Sequence, residues 1–214
     1  MPTKAKITKE MILNAAFEIV KESGIDALTN KALSERLNCS IQPIYYQFKN
    51  TEDLKKELLI KIEKYFFEFL TANMTNTIPK YKQIGINYIK FAKEEKELFR
   101  IIFMTKSNHT ASDLVTHALE TAEGLEKVIK NSTELDKEEI KTFHIRMWIF
   151  THGVASLVAN ETCNLTDEQI SGLLSSSFQA FMLLEDNPNN KWLLKEFKSV
   201  NKSKVGEKNE KEII

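Results

Sequence analysis

Glycine and cysteine are scarce in this chain of 214 residues. Its six glycines are too few for loops that cradle phosphates, and neither Gly-x-Gly-x-x-Gly nor Gly-x-x-x-x-Gly-Lys occurs. His-Glu-x-x-His and Gly-x-Ser-x-Gly are missing as well, so the common enzyme signatures are excluded. The two cysteines, Cys39 and Cys163, have neither metal-ligand spacing nor the density of a secreted disulfide scaffold, which favours a reducing compartment.

Long hydrophobic runs and an excess of one charge are also lacking. No apolar run approaches the roughly 20 residues of a membrane-spanning helix, and residues 1–8 lack the apolar core of a signal peptide. We therefore expect a cytoplasmic protein without membrane contact. Thirty basic residues balance 30 acidic ones. Composition alone consequently gives no indication of nucleic-acid binding.

Apolar residues recur at helical spacing along most of the chain, and no segment alternates with period two for long enough to be a strand. This pattern predicts an all-α fold. Thr8 is placed to cap the first helix, and Gly24 is expected to end it in the left-handed conformation. The predicted inner stripe of this helix consists of Met11, Ile12, Ala15, Ala16, Ile19 and Val20.

The stretch from Thr29 to Phe48 predicts two short helices joined by a tight turn. Thr29 is expected to cap the first of them and Asn38 to end it, because asparagine tolerates the left-handed conformation. Ser40 is the predicted cap of the second helix, and Pro43 fits its first turn. Two helices in this arrangement, the second with a polar outer side, are typical of the helix-turn-helix motif.

A long helix from about Glu52 to Asn73, capped at Asn50, is predicted to follow the motif. The pattern then predicts helices from Pro79 to about Lys93, over residues 97–104 and around residues 114–129, with a loop at 105–110. A short helix around residues 192–197 is left open. These elements suggest a domain with the helix-turn-helix motif at 1–50, a helical domain at 51–200 and a polar tail at 201–214.

The last two long helices, predicted at 140–160 and 168–184, carry small residues at spacings of three or four. Thr166 and Gln169 are placed to form a capping box before the second one. Small residues let helix backbones approach closely, either between subunits or within one chain, and periodicity leaves both alternatives open. We predict a dimer interface that includes Gly153, Ser156, Gly172, Ser176 and Ala180.

The run from Thr8 to Leu54 resembles the N-terminal domain of the TetR family of bacterial transcriptional regulators. The stretches that carry the resemblance are Ile-Leu-Asn-Ala-Ala-Phe at 12–17, Gly-Ile-Asp-Ala-Leu-Thr at 24–29, Leu-Ser-Glu-Arg-Leu at 33–37 and Ile-Tyr-Tyr-Gln-Phe-Lys-Asn at 44–50. Residues 91–100 and the Trp148-x-x-x-His152-Gly153 run resemble a C-terminal domain found in one subgroup. The resemblance implies an all-helical homodimer that binds operator DNA and a small-molecule effector.

Carried over position by position, the resemblance also implies the DNA contacts. Tyr45 matches the tyrosine that usually meets a phosphate, and Lys49 matches a contact to the DNA backbone. Asn38 stands where the family commonly has a turn glycine and Gln47 where it commonly has histidine, which leaves the operator sequence open. The predicted DNA-binding residues are Thr29, Asn30, Lys31, Ser40, Gln42, Pro43, Tyr45, Tyr46, Gln47 and Lys49.

Aromatic residues are frequent on the helices after residue 50, and we predict an apolar effector pocket lined by some of them. The alternative is that they form ordinary core. The candidate ligand contacts are Phe66, Tyr88, Phe99, Phe103, His144, Trp148 and His152. No cofactor and no metal are expected, because the pairs His109 with His117 and His144 with His152 lie two helical turns apart without a carboxylate at matching spacing.

The sequence thus predicts a sequence-specific DNA-binding transcriptional regulator, a repressor released from its operator by a small hydrophobic effector, and no enzymatic activity. Two rival functions remain open. A helix-turn-helix adaptor that binds protein would suit the neutral charge, and a helical enzyme is the other alternative.

Overall fold

The computed structural model describes residues 7–104 and 125–185, and within them all regular structure is helical, as expected. The α-helices are α1 (Lys9–Ser23), α2 (Asn30–Arg36), α3 (Gln42–Gln47), α4 (Thr51–Thr71), α5 (Lys80–Glu94), α6 (Lys96–Phe103), α7 (Lys137–Ala159) and α8 (Asp167–Glu185). A 3-10 turn at Ile25–Ala27 follows α1, and residues 125–130 are also helical.

Helix α1 begins where the sequence predicts, because the Thr8 hydroxyl accepts a hydrogen bond from the backbone N–H of Met11. It ends at Gly24, whose φ of 79° is positive but whose ψ of 174° is extended, so the expected left-handed geometry is only half right. The predicted inner stripe also needs a correction. Met11, which was predicted to be buried, is 39% exposed, and Phe17, which was not, is buried.

The predicted cap of α2 is present in the structure, whereas that of α3 is not. Thr29 accepts from the N–H of Ala32 and Asn38 has a φ of 48°, and both expectations are confirmed. Ser40, however, does not cap α3, which starts after Ile41 without any side-chain cap. Pro43 weakens a cap at Ser40, because a capping side chain accepts from the N–H two or three residues later and proline has none, which leaves only the N–H of Gln42.

Helix α4 is capped by Asn50, whose side-chain oxygen accepts from the N–H of Asp53, as predicted. It ends at Thr71, two residues before the expected position, and Asn73 has a φ of 52°. Its buried side consists of Leu54, Leu58, Ile62 and Phe66.

The chain divides into two compact units. The first comprises residues 1–72 and 90–105, and the second comprises 73–89 and 106–214, so that one boundary falls within α5, between Ile89 and Lys90. In the first unit α1 is the central element, because α2, α3, α4 and α6 all pack against it. This division differs from the domain boundary proposed at residue 50, which is a functional division and stays a prediction.

In the second unit α7 and α8 pack against each other. Helix α7 starts at Lys137, before the expected position, because Asp136 and Glu139 form a capping box that the sequence reading missed. The capping box predicted for α8 is confirmed by reciprocal hydrogen bonds between Thr166 and Gln169.

Several predicted segments lie outside the described residues, namely the loop at 105–110, most of the helix at 114–129, the short helix at 192–197 and the tail at 201–214. Among the helices that are described, none combines the length and the hydropathy needed to cross a bilayer.

Candidate functional site

The outward side of α3 carries two large aromatic side chains. Ile44 and Phe48 fix the inner side and are buried. Tyr45 is 57% exposed and Tyr46 is 82% exposed. The neighbouring Gln42 is exposed too. Aromatic rings held in solvent beside polar groups are typical of a recognition surface.

A hydrogen bond between α2 and α3 holds one of these tyrosines. The side-chain amide nitrogen of Asn30 lies 2.9 Å from the hydroxyl oxygen of Tyr45 and donates to it. The resemblance placed both residues at the DNA but gave no sign of this contact. The first helix of the motif therefore fixes the position of a side chain on the second.

Basic residues flank this surface on both sides. Lys49 is exposed just after α3. The side chain of Lys31 is 85% exposed, and its Nζ lies 3.9 Å from a carboxylate oxygen of Glu35. Ion pairs this exposed are weak. Both lysines are accordingly accessible to an anionic partner.

The other predicted contact residues differ in accessibility. Ser40 is exposed, whereas Pro43 and Gln47 are half-buried. The amide nitrogen of Gln47 lies 3.5 Å from the backbone carbonyl of Ile7. The hydroxyl of the exposed Thr29 accepts its capping bond from the N–H of Ala32, which leaves the hydroxyl proton available. All ten predicted residues thus lie in the first unit, and Gln47 is less available than expected.

A partly buried charge network lies elsewhere in the first unit. Glu95 accepts hydrogen bonds from Lys21 Nζ and from the Tyr65 hydroxyl, each over 2.7 Å. Burial lowers the pKa of Lys21, but its hydrogen bonds to Glu95 and Tyr65 outweigh this, and the net shift is upward. Burial, followed by the bond to Glu95, raises the pKa of Tyr65. The network joins α1, α4 and the break between α5 and α6.

Three of the predicted ligand contacts form an aromatic cluster in the first unit. The ring of Phe103 lies 5.5 Å from that of Phe66 and 4.8 Å from that of Phe99. Phe66 and Phe99 are both buried. Phe66 and Phe99 thus belong to the core, whereas Phe103 is half-buried, and the contact of these residues with a ligand stays a prediction.

The other four predicted ligand contacts lie in the second unit, where three of them touch. The Tyr88 hydroxyl lies 2.9 Å from Nδ1 of His152, and the Trp148 ring stacks on His152 at 5.1 Å. Trp148 also hydrogen-bonds to Tyr88. Burial lowers the pKa of His152 and raises that of Tyr88. A polar cluster therefore exists where the sequence predicted polar groups for an effector.

His144 belongs to a separate pair. Its Nδ1 lies 2.9 Å from the hydroxyl of Tyr81, and both side chains are buried. Burial lowers the pKa of His144 to about 4 and raises that of Tyr81. His144 is consequently neutral near pH 7.

These contacts bear on the predicted pocket. Among the described residues, every buried side-chain nitrogen or oxygen has a hydrogen-bond partner. Tyr88 and His152 already bond to each other, so a ligand would meet groups that are partly satisfied within the chain. Which side chains line a single pocket stays a prediction.

The residues predicted for the dimer interface lie mostly at the surface of the single chain. Gly153, Gly172, Ser176 and Ala180 are exposed. A Cβ added at either glycine would meet nothing within 4 Å. Close packing within the chain therefore does not account for the two glycines, and the contact with a second copy stays a prediction.

Large apolar side chains accompany these small residues on the exposed sides of α7 and α8. Leu157 is 50% exposed and Leu183 is 74% exposed. Helix α8 has no charged residue between Glu168 and Glu185, although much of that stretch faces solvent. Exposed apolar surface without charge is typical of an interface.

Two of the four histidines considered as metal ligands, His144 and His152, lie on α7. In the described ranges no three side chains of histidine, cysteine, aspartate or glutamate come together as a metal site would require. His109 and His117 lie outside the described residues.

Comparison with known proteins gives two family matches that together cover both parts of the chain. A family model for bacterial regulatory proteins of the tetR family matches residues 12–58. A model for the C-terminal domain of tetracycline repressor-like proteins matches residues 81–179. The chain belongs to the TetR family. The fold expected from the sequence agrees with this membership.

Individual TetR-family relatives differ in how much of the chain they cover. The class D tetracycline repressor protein of Escherichia coli is 33% identical over 58 residues, which is 27% of both chains. The chain thus aligns with only about a quarter of that curated relative. The HTH-type transcriptional regulator YobS of Bacillus subtilis is 25% identical over 201 residues, 88% of this chain and 99% of YobS.

A solved structure of a TetR-family protein supports the fold. A transcriptional regulator of the family from Vibrio parahaemolyticus superposes with a TM-score of 0.58 at 18% identity, over 80% of this chain and 97% of that chain. At this identity the likeness establishes the architecture alone.

Proposed function

We propose that this protein is a homodimeric transcriptional regulator that binds operator DNA through α2 and α3 and represses transcription until a small hydrophobic effector releases it. The observation that carries the proposal is the exposed side of α3, where Tyr46 stands 82% in solvent beside Gln42 and Tyr45. Family membership supports the same function. Binding to DNA would also place the protein in the cytoplasm.

Two kinds of contact are combined in this surface. Lys31 and Lys49 offer charges to the phosphate backbone, which fixes position without reading sequence. Gln42 and Tyr46 offer hydrogen-bonding groups to base edges. The two recognition helices of a dimer would address half-sites about 34 Å apart, or a multiple of that distance.

The direct test is a gel-shift experiment with the purified protein and DNA that flanks its own gene. We expect a retarded complex that survives competition by unrelated duplex and weakens as salt rises. Binding that fails equally on flanking DNA and on duplexes selected from a random pool would refute the proposal.

The effector part of the proposal concerns residues 51–200, which we assign to effector binding and dimerisation. The cluster of Tyr88, Trp148 and His152 supplies an apolar surface with a few placed polar groups, as ligand sites commonly do. The effector would favour a dimer geometry in which the recognition helices no longer match the half-sites. A tenfold loss of DNA affinity requires about 1.4 kcal/mol of coupling.

Thermal-shift screening of hydrophobic compounds, followed by DNA release with each hit, tests this part. Trp148→Ala should weaken the binding of any compound that releases DNA. If that variant bound an active effector as well as the parent protein, the site would lie elsewhere.

A protein-binding adaptor is the alternative function, and the neutral overall charge together with the exposed Ile41 favours it. An adaptor would leave every duplex unshifted and would instead retain a protein partner through α3. A shifted duplex whose binding weakens as salt rises indicates the regulator, because only a DNA-binding protein releases counterions from DNA.

A further inference from the structure

We infer that Asn30 is a positioning residue that acts through Tyr45, holding the tyrosine hydroxyl so that its proton points to a DNA phosphate. The inference rests on the proposed function, since it specifies how one of the proposed phosphate contacts is made. It also differs from the role that the resemblance implies for Asn30, which is that of a DNA-binding residue in its own right.

The chemistry of the two groups carries the inference. A tyrosine hydroxyl has one proton to donate and lone pairs that accept, whereas an amide NH₂ only donates. Because Asn30 Nδ2 donates to Tyr45 Oη over 2.9 Å, a lone pair is occupied and the hydroxyl proton remains available. A phosphate oxygen can only accept. The contact thus leaves the Tyr45 hydroxyl able to donate a hydrogen bond to a phosphate oxygen.

The contact also strengthens and orders the donor. An oxygen that accepts one hydrogen bond becomes a better donor in the next. Tyr45 is 57% exposed, so its ring is not held on all sides by packing. The bond to Asn30 fixes the hydroxyl before DNA arrives, which reduces the ordering cost of binding.

The placement of Asn30 suits this role. It is the first residue of α2, directly after the cap Thr29, and its own side chain takes no part in capping. Removing the amide should therefore leave α2 intact. Aspartate is also favourable at a helix start, where it meets the positive end of the helix dipole.

A double-mutant cycle tests the inference, with a duplex that wild-type protein enriches from a random-sequence pool as the probe. Tyr45→Phe removes the hydroxyl and should weaken binding about tenfold. Asn30→Ala should weaken it about threefold to tenfold with Tyr45 present. In the Tyr45→Phe background the same change should cost less than about twofold, because its target is gone. Equal losses in both backgrounds would overturn the positioning role and establish a direct contact.

Asn30→Asp provides a second and more selective readout. A carboxylate can only accept hydrogen bonds, so it would accept the one that the Tyr45 hydroxyl would otherwise donate to the phosphate. It would also repel the phosphate by its charge, and the Tyr45→Phe background measures that repulsion alone. We expect a larger loss with Tyr45 present than in the Tyr45→Phe background. If the loss is the same in both, the inference is wrong.

Two controls separate the inference from its alternatives. Melting temperatures of the single variants should match wild type within about 2 °C, and a binding loss that follows a lower melting temperature would count against positioning. If the wild-type protein enriches no duplex, the proposed function fails. If it does enrich one and Asn30→Ala binds that duplex like wild type, only the inference fails.

Discussion

Glu95 accepts a hydrogen bond from Nζ of Lys21 over 2.7 Å, and the two residues lie 74 positions apart in the sequence. Glu95 is the residue between α5 and α6, and its carboxylate turns toward α1 rather than capping α6. Only 8% of Glu95 is exposed. An ionic contact thus joins α1, against which α2 and α3 pack, to the α5–α6 break.

Glu95→Gln should lower the free energy of unfolding by about 1 to 2 kcal/mol, because hydrogen bonds to a charged acceptor are stronger than those to a neutral amide. Urea unfolding measures the effect. Glu94→Gln is the matched control, since Glu94 is exposed and makes only an i to i+4 pair with Lys90. The control should stay within about 0.5 kcal/mol of wild type. Equal effects of the two substitutions would contradict the role assigned to Glu95.

Stability should fall as the pH drops from 6.5 to 4, because His144 has a folded-state pKa of about 4 and an ordinary value of 6.5. In that window the unfolded chain binds a proton that the folded chain does not, which favours unfolding. The difference of 2.5 pKa units amounts to about 3 kcal/mol near pH 4. Urea midpoints between pH 7 and pH 4.5 measure the fall.

Two variants identify His144 as the source of that pH dependence. His144→Gln should flatten the curve, whereas Tyr81→Phe should keep the slope, because burial and not the tyrosine lowers the pKa of His144. An unchanged slope in His144→Gln would assign the effect to other groups.

Leu157→Glu and Ala180→Glu should each convert the proposed dimer to monomer. Either change would place an unpaired charge in a dry interface at a cost of several kcal/mol. Ile60→Glu is the control, since Ile60 is also a large apolar residue, 64% exposed, but lies on α4 in the first unit. Sedimentation velocity distinguishes the outcomes. A dimer that persists after Ala180→Glu would rule out the assigned interface.

Lys49→Ala and Gln42→Ala should change DNA binding in different ways. The lysine change should weaken binding to all duplexes alike and reduce the salt slope by about one. The glutamine change should cost about 1 to 3 kcal/mol and relax the choice at one base position. Affinities for single-base variants of the selected duplex, measured at several salt concentrations, separate the two. If both variants changed only overall affinity, Gln42 would not read a base.

The sequence predicts best what depends on neighbouring residues. The caps at Thr8, Thr29 and Asn50 and the positive φ at Asn38 follow from side chains within three positions of the helix end. The error at Ser40 is also local, because Pro43, three positions later, removes one of the two N–H groups from which a cap at Ser40 could accept.

The contacts that define the candidate sites could not be predicted from the sequence, because they join distant segments. Asn30 and Tyr45 lie 15 positions apart, and the tyrosine–histidine pairs lie 63 and 64 apart. Helical periodicity identifies the side of a helix that is buried but not which neighbour covers it. For the same reason the sequence could not show that Phe66 contacts Phe103 or that Tyr88 contacts His152.

The backbone at Gly24 has a consequence for how this protein tolerates variation. With a φ of 79° and a ψ of 174°, the residue occupies a region that is open almost only to glycine. A Cβ there would also lie 2.7 Å from a carboxylate oxygen of Glu97. In a library of all single substitutions selected for folding alone, position 24 should therefore return glycine. Gly153 and Gly172, which have open space around them, should accept alanine under the same selection and lose that freedom only when assembly is selected.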